Sequence, residues 1–324
     1  MNDSNGLVFA FVLDGNGGGR SLDFASLKKW RPEDGAIWLH LDYTANDAKQ
    51  WIFGESGIDP IIAESLMTEE TRPRSLVHKG GMLLILRGVN LNPGAEPEDM
   101  ISLRLWIDTN CIVTLRHRRV MAINDLRRAV ESGSGPTGPG AFLEELSDRL
   151  VIRMGTAISD VDDSVDAIED EVLTEQSYDL RHRIADIRRT AIAMRRYLAP
   201  QRDVMMRLYN EKVDWLDEMA RMRLREISDR TIRYVEDLDA VRDRATVTQE
   251  ELNNRLAEQM NKTMYVLSIV AGIFLPLGLL TGLLGINVGG IPGTENKWAF
   301  TLFCVLLLGI AGAQVWLFKR KKWM

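Results

Sequence analysis

Two uncharged stretches near the end of the chain constrain everything else. Met264–Leu284 runs for 21 residues and Ala299–Phe318 for 20, and neither contains Asp, Glu, His, Lys or Arg. A bilayer core of about 30 Å takes about 20 apolar residues of helix, so each stretch is long enough to cross one. The alternative, a pair of buried core helices, is disfavoured because two such runs in tandem are rare in soluble folds. Loop 285–298 (GINVGGIPGTENKW) is too short for a domain, so the spans, about 264–284 and 299–318, form a hairpin. Segment 263–324 is therefore expected to be a transmembrane unit.

The average composition hides this. At 45% hydrophobic and 27% charged, the 324-residue chain has the balance of a soluble globular protein. Residues 263–324 carry five bases and one acid, a net of +4, whereas residues 1–262 carry 35 bases and 45 acids, a net of −10. The positive-inside rule assigns the flank holding Lys319, Arg320, Lys321 and Lys322 to the cytoplasm. A two-span hairpin then places the N-terminal body on the same side. MNDSNG has no basic n-region and Leu7–Leu13 is too short for a signal h-region, which agrees with termini that are both cytoplasmic. Cys111 and Cys304 have no metal-type spacing and imply no disulfide framework.

The body divides in two. Residues 1–131 hold short apolar runs of strand length at 7–13, 36–43, 82–91, 100–108 and 111–116, with helical patterns near 44–53, 58–66 and 117–131. This predicts an α/β head. The glycines at 15 and 17–19 lack the Lys-Ser/Thr of a phosphate loop and read as a hairpin turn. Residues 132–140 (SGSGPTGPG) read as a flexible linker. Residues 141–262 then read as helices: Phe142–Leu173, Tyr178–Ala199 ended by Pro200, and a stalk from about Val213 running without a breaker into the first span. Its apolar or small positions step by three and four, a coiled-coil-like seam. The expected class is an α+β membrane protein: an α/β cytoplasmic domain, a long helical stalk and two C-terminal transmembrane helices.

Two charge features stand out. Asp160, Asp162, Asp163, Asp166, Glu169, Asp170 and Glu171 fall within twelve residues. They read either as a solvated face or as a cation-attracting surface. Seven arginines between Arg181 and Arg202 follow, and are expected to pair with the acids across a helical hairpin rather than to bind nucleic acid. No nucleophile–base set or metal-ligand cluster marks an enzyme, and no cofactor is implied. The four histidines, His40, His78, His117 and His182, read as core or surface residues.

Two helices cannot enclose an aqueous path, so conduction would need several copies around an axis. The first span carries a suitable stripe: Asn261, Met264, Ser268, Ala271, Leu275, Gly278 and Gly282. Small residues there leave a lumen or allow close packing. Pro276 is expected to remove one backbone bond and bend the span. Asn287 follows just after the span, and a ring of its amide oxygens would offer neutral acceptors to a hydrated cation.

The stretch IFLPLGLLTGLLGIN (273–287) resembles the first span and signature of the CorA-type divalent metal transporters, where a Gly-x-Asn motif closes the pore-lining helix. Asn261-Lys262-Thr263-Met264 resembles that family's approach to the membrane. VGGIPG (288–293) and the segment from Phe300 to Trp323 are similar to the ZntB zinc-transporter branch. The resemblance implies a homopentamer with a cytoplasmic funnel that moves Zn2+, with other divalent ions, across the inner membrane. It places Gly285, Ile286 and Asn287 at the external mouth. Asn261, Met264, Leu275 and Gly278 would face the pore, and Lys319–Lys322 would form a basic collar in contact with lipid. Ile286 replaces the usual Met of the motif, and Glu295 is the one acid of the loop. The alternatives are a magnesium or cobalt channel on the same scaffold, or a membrane-anchored sensor that conducts nothing. With no Asp, Glu, His, Lys or Arg inside the spans, proton linkage would have to use pore water, Glu295 or the funnel.

Overall fold

The computed structural model describes residues 6–27, 29–69, 72–174, 178–285, 293 and 296–321. The chain forms two compact units, Met1–Gln249 and Glu250–Met324.

The first unit is built on a seven-stranded sheet in the order β2-β1-β3-β7-β6-β5-β4. The strands are β1 (Leu7–Leu13), β2 (Gly19–Ser21), β3 (Ile37–Asp42), β4 (Arg74–His78), β5 (Gly81–Gly88), β6 (Ile101–Ile107) and β7 (Cys111–Arg116). Among the described strands only β3 and β7 pair in parallel. Strand alternation sends Phe9, Phe11 and Leu13 to one face and Ala10 and Val12 to the other, and both faces are buried. Helices α1 (Phe24–Leu27), α2 (Asn46–Gln50) and α3 (Pro60–Met67) cover the second face, while α4 (Met121–Glu131) and α5 (Pro139–Thr174) pack on the first. The glycine loop is the expected hairpin turn. The Asp14 carboxylate accepts hydrogen bonds from the amides of Asn16 at 2.8 Å and Gly18 at 2.9 Å. The chain at 132–140 packs closely on it: the Gly135 amide donates to the Gly17 carbonyl at 2.7 Å. Gly17 has φ +98°, and a Cβ there would meet the Gly135 carbonyl at 2.9 Å.

A buried polar triad lies under the first face. Thr114 gives its one hydroxyl proton to the Leu39 carbonyl at 3.0 Å and accepts from Trp38 Nε1 at 3.0 Å. His40 Nδ1, 2.8 Å away, is therefore the donor in its own bond to Thr114. Burial pushes the His40 pKa down to about 3, helped by the nearby Arg116 charge. Phe142 of α5 meets the Trp38 ring edge-on at 4.9 Å and is fully buried.

Helix α6 (Tyr178–Leu208) continues through Pro200, where the sequence pattern ended it. The loss of one helical bond at proline is offset by what the following turn docks. Gln201 is fully buried, accepts from the Arg87 amide at 2.6 Å and donates to the Arg87 carbonyl at 3.2 Å. It thereby satisfies the end of β5 beyond its pairing with β4, which stops at Ile85. Val204, Met205 and Leu208 are buried behind it.

The stalk helix, α7, spans Glu218–Leu284, 67 residues and about 100 Å. It begins five residues later than the pattern suggested because Asp217 caps it, accepting from the Ala220 amide at 2.7 Å. Its seam is buried at Leu224, Ile227, Thr231, Leu238, Val241, Ala245 and Thr248. In the second unit, α7 continues through Pro276 and is followed by α8 (Ala299–Arg320). Both helices are long and apolar enough to cross a membrane, and their most apolar windows are wholly unburied within the chain.

Phe142→Ala should destabilise the first unit by about 3–5 kcal/mol, measured by urea unfolding. His40 is neutral when folded and titrates near 6.5 when unfolded. Its penalty is absent above pH 6.5, grows as pH falls toward about 3, and is constant below that. Stability should fall by up to about 1.4 kcal/mol per pH unit in that window, and a His40→Gln variant should lose this part of the slope.

Candidate ion pathway

The second unit divides the surface of α7 between two environments. A Cβ added at Gly272 would meet the Phe318 ring of α8 at 3.1 Å, so the helices approach closely there. The half-buried residues include Ile269, Ala271, Gly272, Ile273, Leu277 and Leu280 on α7, and Phe303, Cys304, Leu307, Ile310, Ala311, Gln314, Val315 and Phe318 on α8. The α8 positions step by three and four, as one helix face requires.

The stripe from the sequence lies elsewhere on α7. Asn261, Met264, Ser268, Leu275, Gly278 and Gly282 are exposed, and Ala271 is half-buried. Met264 is 53% and Leu275 72% exposed. Nothing lies within 4 Å of a Cβ built at Gly278 or Gly282. The small residue that serves intrachain packing is thus Gly272, which the stripe does not include. At its upper end, the Gly285 amide donates to the Thr281 carbonyl at 2.9 Å and closes α7. A Cβ at Gly285 would stand 2.9 Å from that carbonyl, a physical reason for glycine as first residue of the motif. Ile286, Asn287 and Glu295 lie outside the described residues. At the other end of the hairpin, Lys319 and Arg320 occupy the last turn of α8, where cations oppose the helix dipole. Arg320 stacks over Trp316 at 5.2 Å. Lys321 follows, and Lys322 lies outside the described residues.

Three of the seven acids of the α5 cluster, in the first unit, are met by one residue that sequence reasoning did not single out. Arg244 of α7 donates to Asp162 at 2.8 Å, to Glu169 at 2.6 Å and to Asp166. These carboxylates hold the Arg244 guanidinium firmly protonated. The expected pairing with α6 is made at Glu171, which accepts from Arg183 at 2.9 Å. Arg195 pairs instead with Asp239 of α7 at 2.6 Å. Asp160, Asp163 and Asp170 stay exposed, with no ion pair among the described residues. Asp237 of α7 adds an acid facing Asp162; burial first, then the Asp162 charge, raises its carboxyl pKa. Arg244 could have been suspected from its place one turn before Thr248 on the seam, but only tertiary packing shows which acids it meets. No group of three or more His, Cys, Asp or Glu side chains suited to a metal occurs among the described residues. His40 is core, whereas His182 is exposed.

Arg244→Gln should leave three carboxylates mutually repelling. All four groups are part-exposed, so the loss is about 1 kcal/mol. The melting temperature should fall and then recover in millimolar Mg2+, whereas the parent protein should respond little.

The sequence pattern of the family described as CorA-like Mg2+ transporter protein matches residues 33–320. The Pseudomonas aeruginosa protein named divalent cation transporter CmaX is 40% identical over 326 residues, covering 99% of this chain and 98% of its own. The zinc transport protein ZntB of Yersinia pseudotuberculosis is 36% identical over 317 residues, covering 98% and 96%. Among solved structures, full-length CmaX is similar with a TM-score of 0.87 at 39% identity, over 100% of both chains. The CorA magnesium transporter of Methanocaldococcus jannaschii gives 0.80 at 20% identity over 98% and 99%, a likeness of fold alone.

Proposed function

The chain belongs to the CorA-like Mg2+ transporter family, and from that premise we propose that it carries divalent cations, Zn2+ foremost, across the inner membrane. The observation that carries this reading is the stripe of α7, Met264 to Gly282, which is exposed except at half-buried Ala271 and does not include Gly272, where α8 approaches. Copies arranged around an axis would bring their stripes together and enclose a path. Five copies are the proposed number, with N- and C-termini in the cytoplasm.

Each part of the pathway then has a role. Gly285, Ile286 and Asn287 form the external mouth, where neutral amide oxygens hold a hydrated ion without trapping it. Met264, Ser268, Ala271 and Leu275 line a narrow path without fixed charge. Asp160, Asp163 and Asp170, left free of arginine, raise the local cation concentration at the cytoplasmic domain. Lys319, Arg320, Lys321 and Lys322 anchor the hairpin at anionic lipid headgroups. Zinc is favoured by the relatives named zinc transport proteins and by the Gly-Gly-Ile-Pro loop. Magnesium is the second reading, favoured by the description of the family. Any proton coupling has to use pore water, Glu295 or groups outside the spans.

Purified protein in liposomes with an internal zinc-sensitive dye should show Zn2+ flux well above empty vesicles. No flux from a verified oligomer would remove the reading. Asn287→Ala should change the ratio of Zn2+ to Mg2+ flux while the oligomer stays intact on size exclusion. Glu295→Gln should abolish the pH-gradient dependence of flux only where Glu295 is the coupling group.

A further inference from the structure

The head contains a cationic pocket that plays no part in the ion pathway. It is a cavity of about 220 Å3 at one end of the sheet, lined by Tyr43, Glu69, Arg87, Ser102, Arg104, His117 and Arg118 among others. Tyr43 follows β3, and His117 and Arg118 follow β7, so the pocket opens at the carboxyl ends of the parallel pair. In α/β sheets this is where ligands gather, because the loops there diverge and leave a crevice.

Its base is Arg104, 1% exposed on β6. Nη1 donates to the Leu66 carbonyl at 2.9 Å and the guanidinium lies 4.0 Å over the Tyr43 ring. Nε is buried without a hydrogen-bond partner, and no carboxylate forms an ion pair with Arg104 among the described residues. A buried guanidinium without a counter-charge is costly and calls for compensation. One carbonyl and one aromatic face give only part of it. Arg87, also lining the cavity, is committed to the Met100 carbonyl at 2.6 Å and to the Tyr197 ring at 4.1 Å. Arg118 at the mouth is exposed. Three guanidinium groups thus meet one described carboxylate, Glu69.

We propose that this pocket binds a small oxyanion, of phosphate size, between buried Arg104 and exposed Arg118. The cavity is below the range of about 300–1,000 Å3 that houses drug-sized ligands, which excludes a nucleotide and suits a single phosphoryl or short carboxylate group. Guanidinium groups offer such oxyanions paired, charge-assisted donors, and the Ser102 hydroxyl adds a neutral one. The anion supplies the negative charge that the fold withholds from Arg104.

The test is thermal unfolding of the full-length protein in detergent, followed by tryptophan fluorescence, as inorganic phosphate is titrated at constant ionic strength. Malonate is the parallel arm. A saturable rise in melting temperature with either anion supports the site, and the tighter of the two tells phosphoryl from carboxylate chemistry. Arg118→Gln changes an exposed side chain and should fold normally while shifting half-saturation about tenfold higher, as loss of a charged hydrogen bond predicts. A response no greater than that to chloride with both anions, or an unchanged half-saturation in Arg118→Gln, would overturn the proposal.

Discussion

A backbone amide in hydrocarbon has no water to bond, so a chain that crosses a membrane must satisfy its amides internally. Here that constraint is met by two helices. α7 carries it furthest, because the same unbroken helix that serves as the seam of the first unit becomes the first span of the second. Every residue of the span then has a face set by its distance in sequence from the others. The hundred-degree step puts Met264, Ser268, Leu275 and Gly282 on one side and Ile269, Ile273 and Leu280 on another. Packing of α8 at Gly272 falls between the two sides and leaves the first exposed except at half-buried Ala271. The proposed pathway depends on that division.

Charge is handled differently at the two ends. Within the spans there is none, so an ion would meet only amide, hydroxyl, thioether and backbone groups. In the first unit the acids of α5 are divided between those held by Arg244 and those left to solvent. One guanidinium spread over three carboxylates ties α5 to α7 and leaves much of the negative field in place, since one positive charge cannot cancel three. An acidic helix can in this way be both a structural contact and a cation-attracting surface, two readings that the sequence presents as alternatives.

The sequence was readable where a pattern is local. The five apolar runs are strands β1, β3, β5, β6 and β7, and the long α5 and α7 follow their helical periods. It was silent on β2 and β4, which are short edge strands with mostly exposed or half-buried residues and so lack a burial signature. Pro200 misled for a related reason. Its cost is local and visible, whereas its compensation, Gln201 bonding both backbone groups of Arg87, joins positions 114 residues apart. Arg104 was invisible as a functional residue because an arginine on a strand carries no mark of being buried without a carboxylate.

By itself the sequence determined that the chain spans a membrane twice, carries an acidic α/β and helical body, and ends its first span in Gly-Ile-Asn. Length of apolar run, period and charge balance are additive along the chain and need no partners to be read. Only the tertiary structure decided which side of α7 stays open, which acids Arg244 neutralises, and that Arg104 stands at the base of a cationic pocket. Those are outcomes of contacts between residues far apart in sequence, and burial and pairing are properties of the contact, not of either residue alone.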